Sequence, residues 1–274
     1  MRIVVQAYGR KDIIDQSIFS VLTVLRWNSS DEVWIYTDQV QRLTSFFKST
    51  PRVVIVAMTP EKIKAWRGEI DFVHRVKLEV LKQASQNLNE PLLYLDGDTI
   101  FLQSPDSLRS RMGPGHHLMH LEESRLDQAR DPLTKKMAKF CRKNVFPLRG
   151  GVLQVPSTTS MWNAGVIGLH PQHFDLLDQM IEFTDVAYAR YQKHVIEQLA
   201  VSYFLQSTGK VSPSDDVIHH YWQTKEVWQQ KIDSFLLQAK TSEEGLQMLK
   251  QFDWTLPVPP RKKKWWQKFL RREI

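Results

Sequence analysis

The chain has one cysteine, Cys141, among its 274 residues, and it contains no long hydrophobic run. A single cysteine excludes an internal disulfide framework, and no segment approaches the roughly 18 apolar residues of a membrane-spanning helix. Neither glycine nor proline is abundant, which excludes collagen-like and wholly disordered proteins. The first residues turn polar within a few positions, so we expect no signal peptide and a cytoplasmic protein. With 42% hydrophobic residues, the chain can bury a sizeable core.

Positive charge is concentrated at the end of the chain. The last fourteen residues hold seven of the 37 basic side chains and one acid, Glu273, out of 30. The preceding part is therefore almost neutral, although the net charge of the whole chain is +7. Binding of nucleic acid needs a basic stripe on the folded domain, and the sequence shows none, so we expect no nucleic-acid partner.

Strands and helices alternate along the chain. Short apolar segments at 2–8, 33–36, 52–56 and 92–95 are separated by helical patterns, of which 13–25 and 71–86 are the clearest. This alternation predicts an α/β fold with a sheet flanked by helices. Further on we expect strands at 166–169 and 217–220 and helices at 174–188, 195–205 and 225–252. The segment 104–160 is less regular and is predicted to be a mobile region on the acceptor side.

The segment with the clearest candidate functional residues is Leu92-Leu-Tyr-Leu-Asp96-Gly97-Asp98-Thr-Ile-Phe-Leu. Two carboxylates follow a buried strand, and ligands in such sheets bind beyond the carboxyl ends of the strands. Because carboxylates this close repel each other, a divalent cation stabilises them, and oxygen ligands suit Mg²⁺ or Mn²⁺. Glycine between them lets a ligand approach the backbone.

An Asp-x-Asp sequence after a strand is also found in haloacid-dehalogenase-like phosphatases. That family has Thr or Val four residues after the first aspartate, whereas this chain has Ile100. A phosphatase of this type is therefore an alternative, and a non-catalytic carbohydrate- or membrane-binding module is a second one.

Several motifs, in the right order over residues 1–230, resemble those of GT-A-fold glycosyltransferases, in particular glycosyltransferase family 8 and its relatives. The matching segments are Phe72-Val-His-Arg75-Val-Lys77, Asp96-Gly97-Asp98, Asn163-Ala164-Gly165, Glu197-Gln198 and His219-His220-Tyr221-Trp222-Gln-Thr-Lys225. The resemblance implies a Rossmann-like mixed sheet and a metal-dependent transfer of a sugar from a nucleotide-diphosphate sugar, with a UDP-sugar favoured. A glycan or a lipid-linked acceptor would receive the sugar.

The resemblance also implies a role for each matched residue. Asp98 and Asp96 would bind Mn²⁺ or Mg²⁺, with Asp96 touching either the cation or the ribose, and His220 or His219 would be the third protein ligand. The residues implied to bind the nucleotide and the donor sugar are Ala7, Tyr8, Arg10, Arg75, Lys77, Asp96, Asn163, Ala164, Gly165 and Lys225.

Two of these assignments have alternatives. His219 and His220 alternate on a strand, so at most one faces the site. We favour His220, which keeps the aromatic neighbour, over His219, which keeps the spacing to the lysine. Arg75 and Lys77 lie on nearly opposite faces of a helix, so we expect only one of them to face the nucleotide.

The catalytic assignments depend on stereochemistry. Gln198 would lie near the anomeric carbon. An inverting enzyme needs a carboxylate base near the acceptor hydroxyl, for which Glu197 is a candidate and Glu122 and Glu123 are weaker ones. A retaining enzyme needs no such base. The resemblance favours retention, and the residues themselves leave both open.

We predict one GT-A-like domain over 1–256, with a nucleotide-binding half at 1–103 and an acceptor and donor-sugar half at 104–256. A proline linker and a basic amphipathic helix would follow at 257–274. Tryptophan and lysine favour membrane interfaces, so this tail is expected to bind an anionic membrane at its cytoplasmic face. Its expected membrane contacts are Lys262, Lys263, Lys264, Trp265, Trp266, Phe269 and Leu270.

Overall fold

A computed structural model of the chain describes residues 1–27 and 30–258. The predicted membrane-binding tail lies outside the described residues. The strands are β1 (Arg2–Ala7), β2 (Glu32–Thr37), β3 (Val53–Ala57), β4 (Leu92–Leu95), β5 (Thr99–Phe101), β6 (His116–Met119), β7 (Glu122–Arg125), β8 (Phe146–Leu148), β9 (Gly151–Leu153), β10 (Ser160–Trp162), β11 (Val166–Leu169), β12 (Lys210–Pro213) and β13 (Ile218–His220). The helices are α1 (Lys11–Leu25), α2 (Val40–Phe46), α3 (Pro60–Arg67), α4 (Arg75–Ser85), α5 (Asp106–Arg109), α6 (Pro132–Lys143), α7 (Leu176–Arg190), α8 (Ile196–Thr208), α9 (Lys225–Gln238) and α10 (Ser242–Leu249). In the described part of the chain, no helix is both long enough and apolar enough to cross a bilayer.

The core is a seven-stranded mixed sheet in the order β12-β6-β11-β4-β1-β2-β3. Strands β4, β1, β2 and β3 are parallel, and β11 runs antiparallel to both β4 and β6. The predicted α/β class with a mixed sheet flanked by helices is confirmed. Smaller antiparallel pairs, β5 with β13 and β7 with β10, extend from the carboxyl edge of β4 and carry site residues.

Alternating side chains of the central strands fill two separate hydrophobic cores. In β1, for example, Val4 belongs to the core beside α4, α7 and α8, whereas Ile3 and Val5 belong to the core beside α1, α9 and α10. The period of two in a strand sends successive side chains to opposite faces. Burial on both faces explains why β4 is a continuous apolar run.

Two predicted elements differ in the structure. The predicted helix 225–252 is two helices, because Thr241 and Glu244 form a capping box that starts α10 after a break. The segment 104–160, predicted to be irregular, contributes β6 to the main sheet and contains the twelve-residue helix α6. Strand β6 is short, and its buried His117 lacks the apolar signal of a core strand.

Candidate active site

Three predicted metal ligands meet at the carboxyl edge of β4. Asp96 and Asp98 follow this strand, and His220 ends β13, which pairs with β5 so that His220 lies opposite Thr99. One side-chain ligand atom from each of Asp96, Asp98 and His220 lies within 4.8 Å of the other two. The structure therefore brings His220, rather than His219, to the carboxylates.

The backbone of β11 fixes the position of this edge. Because β11 runs antiparallel to β4, its start meets the end of β4, and the Asp96 backbone N–H donates to the Gly165 carbonyl over 2.8 Å. The predicted segment Asn163-Ala164-Gly165 is thus placed directly against the acidic pair. It joins the first half of the chain to the second at the site.

Lys77 on α4 is buried in the same cluster, with 3% of its surface exposed. Its Nζ lies 3.2 Å from Asp96 Oδ1 and 3.1 Å from Glu197 Oε1, and it donates to the Ala164 carbonyl over 2.9 Å. Burial alone lowers the pKa of Lys77, but the two carboxylates outweigh it and raise the pKa above the ordinary value. Lys77 is therefore a fixed positive charge beside Asp96.

Glu197 is as deeply buried as Lys77, with 3% exposed. Burial raises the pKa of the Glu197 carboxyl to about 7; the charge of Asp96 adds to this effect and Lys77 opposes it. The Tyr94 hydroxyl donates to Asp96 Oδ1 over 2.9 Å and completes the cluster. Tyr94 is a contact that the sequence analysis missed, although its position two residues before Asp96 on a strand is the signal that places both on one face.

Asp98 has two basic partners. His220 Nε2 lies 3.2 Å from Asp98 Oδ1, and Lys225 Nζ donates to Asp98 Oδ2 over 3.2 Å. Burial acts to raise the pKa of Asp98, but His220 and Lys225 outweigh it and hold the pKa well below its usual range. Asp98 is therefore ionised at neutral pH, as a metal ligand must be.

Hydrogen bonds to Asn163 orient the ring of His220. Asn163 Oδ1 accepts from the Gly165 backbone N–H over 3.0 Å and lies 2.8 Å from His220 Nδ1. Because this oxygen can only accept, Nδ1 is the donor in this contact. The other ring nitrogen, Nε2, faces Asp98 Oδ1 and is the one placed to ligate a cation bound by the carboxylates.

The donor set fits a divalent cation. Two carboxylate oxygens and one imidazole nitrogen are typical ligands of Mn²⁺ in proteins, and the carboxylates suit Mg²⁺ as well. The hydrogen bond from His220 Nδ1 to Asn163 supplies the support that metal-bound histidines usually have.

Gly165 leaves room for the ring of His220, and Gly97 leaves room for Ser17 of α1. A Cβ atom on Gly165 would lie 2.3 Å from His220 Nδ1, and one on Gly97 would lie 2.4 Å from Ser17 Oγ. A side chain at position 165 would therefore displace His220.

Glu123 connects Gln198 to Asn163 through two hydrogen bonds. Its Oε2 accepts from Gln198 Nε2 over 2.8 Å, and its Oε1 accepts from Asn163 Nδ2 over 3.0 Å. Glu123 reaches this position from β7, which pairs with β10 just before Asn163. The sequence analysis considered Glu123 only as a weak candidate base, because nothing in the sequence shows that β7 lies beside β10.

The other predicted nucleotide-binding residues are spread around this edge. Ala7 is buried at the end of β1, and Tyr8 is half-buried after it. Arg10 is exposed and pairs with Asp12. Arg75 does not join the cluster, because its guanidinium binds both carboxylate oxygens of Asp185 on α7, over 2.6 and 3.1 Å. Of Arg75 and Lys77, only Lys77 contacts the acidic pair.

The fold is shared with solved glycosyltransferase structures. A galactosyltransferase, LgtC, in complex with donor and acceptor sugar analogues aligns with a TM-score of 0.54 and 12% identity over 94% of this chain and 98% of that one. GlyE of Streptococcus pneumoniae TIGR4 aligns with a TM-score of 0.52 and 13% identity over 96% of this chain and 67% of that one. An active-site mutant of LgtC, in which glutamate replaces a glutamine, aligns with a TM-score of 0.50 and 12% identity over 78% and 72% of the two chains.

No protein-family model and no curated protein sequence matches the chain. The likeness thus lies in the fold and the arrangement of its strands and helices, at identities too low to carry function. On these comparisons, the chain has the GT-A fold of glycosyltransferases.

Proposed function

We propose that the chain is a metal-dependent glycosyltransferase, which moves a sugar from a nucleotide-diphosphate sugar to a glycan or a lipid-linked acceptor. A UDP-sugar is the favoured donor. The observation that carries the proposal is the convergence of Asp96, Asp98 and His220, from two distant parts of the chain, with ligand atoms within 4.8 Å of one another at the edge where GT-A-like sheets bind ligands.

Asp96, Asp98 and His220 would hold Mn²⁺ or Mg²⁺, with Asn163 keeping His220 Nε2 free to ligate. When bound, the cation compensates the charge of the diphosphate that leaves the sugar. The Tyr94 hydroxyl and Lys77 hold Asp96 in place from the buried side.

Lys225 adds a second positive charge for the diphosphate. The Lys225 side chain is 42% exposed, and its Nζ contacts Asp98. The ammonium therefore lies at the open side of the site. A phosphate oxygen entering there would take the ammonium as a partner, since an ammonium is a strong donor to phosphate.

The surroundings of Glu197 favour retention over inversion. A base must reach the acceptor hydroxyl, whereas Glu197 is buried beside Lys77. Gln198 is half-buried, and its amide is held by Glu123. In this proposal, Gln198 lies beside the donor sugar, and Glu197 and Lys77 line the buried side.

The two halves of the predicted domain keep the proposed roles, with residues 1–103 for the nucleotide and 104–256 for the donor sugar and the acceptor. The tail at 257–274 is proposed to attach the enzyme to the cytoplasmic face of a membrane, where a lipid-linked acceptor would be found. Deleting residues 261–274 should weaken binding to anionic vesicles and leave nucleotide binding unchanged. Equal sedimentation after the deletion would argue against this role.

Titration calorimetry with UDP or GDP, with and without Mn²⁺, tests the proposal. We expect binding of one nucleotide to depend on the cation and to be lost in Asp98→Ala. The matched control is Asp178→Ala, an exposed carboxylate on α7 that pairs with Lys82. Absence of cation-dependent binding to either nucleotide would count against a glycosyltransferase.

Screening nucleotide-sugars for hydrolysis or transfer then identifies the donor. Hydrolysis of a simple phosphomonoester without any nucleotide requirement would favour the phosphatase alternative. Cation-independent carbohydrate binding with no turnover would favour a binding module.

A further inference from the structure

One face of α6 is a stripe of exposed cations. Five side chains of this helix are basic and exposed, namely Lys135, Lys136, Lys139, Arg142 and Lys143. At 3.6 residues per turn they fall within an arc of about 120°. Met137 and Cys141 are buried on the opposite side. We call this face of α6, together with the hairpin of β8 and β9 that follows it, the α6 surface.

No carboxylate compensates these charges. Residues 132–174 contain six basic and no acidic residues, and in the described part of the chain none of the five α6 cations forms an ion pair. Elsewhere, Lys11, Lys82 and Lys231 each pair with an aspartate. Lys135, Lys139 and Lys143 follow one another at four-residue steps, where like charges destabilise a helix. An anionic surface would relieve this repulsion.

Exposed aliphatic side chains follow the stripe along the chain. The hairpin of β8 and β9 follows α6 directly, and its Val152 is 71% exposed. Val145, between the helix and the hairpin, is 49% exposed, and the Arg149 side chain at the tip is 95% exposed. Phe146 packs against Phe140 of α6, with ring centroids 5.5 Å apart. This contact holds the hairpin against the end of the helix.

We propose that the α6 surface binds an anionic lipid membrane, with α6 and Arg149 at the level of the headgroups and the side chains of Val145 and Val152 toward the acyl chains. Lysines and arginines on one face of an amphipathic helix attract anionic lipids, and adjacent apolar side chains enter the interface. The exposed valines favour a membrane over a nucleic acid, because a phosphate backbone offers nothing for an aliphatic side chain to bury against. This contact is independent of the tail and of the proposed enzymatic activity.

The α6 surface lies in the same part of the chain as Glu123 and Asn163, between β7 and β10. A membrane contact here would hold the proposed acceptor side of the site at a bilayer. With the tail as a second contact, binding would gain from effective concentration.

Vesicle sedimentation of the full chain tests the proposal. In one variant Lys135, Lys139 and Lys143 are all replaced by Gln, which keeps helix propensity. The matched control replaces Lys48, Lys64 and Lys210 by Gln; these are exposed lysines on other elements with the same total charge. On vesicles about one-third phosphatidylglycerol, we expect the α6 variant to bind about 100-fold more weakly, at about fivefold per lysine. The control should lose far less, and equal losses in the two variants would overturn the proposal.

A fluorescent label reports where the membrane touches the protein. Val152→Cys carries an environment-sensitive dye such as nitrobenzoxadiazole, while native Cys141 is buried and its thiol pKa is raised to about 12 by burial. Vesicles should shift the emission to the blue at position 152 but not at Lys48→Cys. A shift at neither position, or at both, would contradict the proposed orientation. Tighter binding of an oligonucleotide that competes with vesicles would assign the surface to nucleic acid instead.

Discussion

Asn163 Oδ1 lies 2.8 Å from His220 Nδ1, and the same oxygen accepts a hydrogen bond from the Gly165 backbone. The second bond fixes the amide oxygen as an acceptor on His220, so the imidazole presents Nε2 toward Asp98. One side chain of the predicted donor-sugar segment therefore orients His220, the histidine of the proposed metal site.

Asn163→Leu keeps the approximate volume of the side chain but cannot accept from His220. We expect the affinity for Mn²⁺ with nucleoside diphosphate to fall 10- to 100-fold, as for other losses of support behind a metal-bound histidine. Calorimetry measures the loss, and Asn163→Asp, which still accepts from His220, should lose less. Equal losses in both variants would show that Asn163 does not act through His220.

Gly165→Ala should also disturb His220. The new Cβ would lie 2.3 Å from Nδ1, so the imidazole must move away from Asp98. We expect cation-dependent nucleotide binding to weaken at least tenfold. Gly150→Ala is the control, because a Cβ there meets nothing within 4 Å. Unchanged binding in Gly165→Ala would mean that His220 is not needed for the cation.

Lys77→Met should destabilise the fold. Without the ammonium, the buried carboxyl of Glu197 and the half-buried carboxylate of Asp96 lose their shared partner, and breaking a buried ion pair costs about 3–5 kcal/mol. Urea unfolding measures the free energy, and Glu197→Leu in the same chain should restore part of it.

Lys82→Met on the same helix is the matched control. Its ammonium pairs with the exposed Asp178, a type of contact worth about 0–1 kcal/mol. Equal losses for Lys77→Met and Lys82→Met would show that burial of the Lys77 cluster contributes nothing.

Acid should weaken the fold through His117. Burial, with nearby His173 adding to it, lowers the pKa of His117 to about 4, whereas an unfolded histidine titrates near its usual value of about 6.5. Between these pH values the unfolded state binds more protons, so stability is complete above about 6.5 and is lost as pH falls toward 4. The full loss from this group is about 3 kcal/mol.

Urea unfolding at several pH values checks this loss in the native chain and in His117→Gln. The variant has no titrating ring at this position, so its free energy of unfolding should fall less steeply between pH 7 and about 4. Parallel curves would show that His117 is already protonated, or equally free to protonate, in the folded state.

The sequence led to the acidic pair and its setting because these signals are local. A continuous apolar run predicts a strand buried on both faces, and Asp96 and Asp98 follow it directly. The preference for His220 over His219 came from the family resemblance, through its aromatic neighbour, and the structure places His220 beside Asp98. Similarly, the opposite faces of α4 separated Arg75 from Lys77.

Contacts between segments far apart in the chain could not be predicted from the sequence. Glu123 contacts both Gln198 and Asn163 only because β7 pairs with β10, and that pairing has no signature in either strand. The net charge of the residues before the tail does not reveal the α6 surface, because acidic residues elsewhere offset its positive charges in the sum. The local net charge of residues 132–174 is +6 and does reveal it.

By itself, the sequence determined the α/β class, the acidic pair at the end of a central strand and the residue types available to bind a cation. These follow from hydrophobic periodicity and from chemistry between near neighbours in the chain. Only the tertiary structure decided that Lys77 and Glu197 share one buried cluster, that Asn163 orients His220 and that the cations of α6 have no ion-pair partner within 1–27 and 30–258. Such contacts depend on strand order and helix packing, which bring together residues far apart in the chain and which no local pattern encodes.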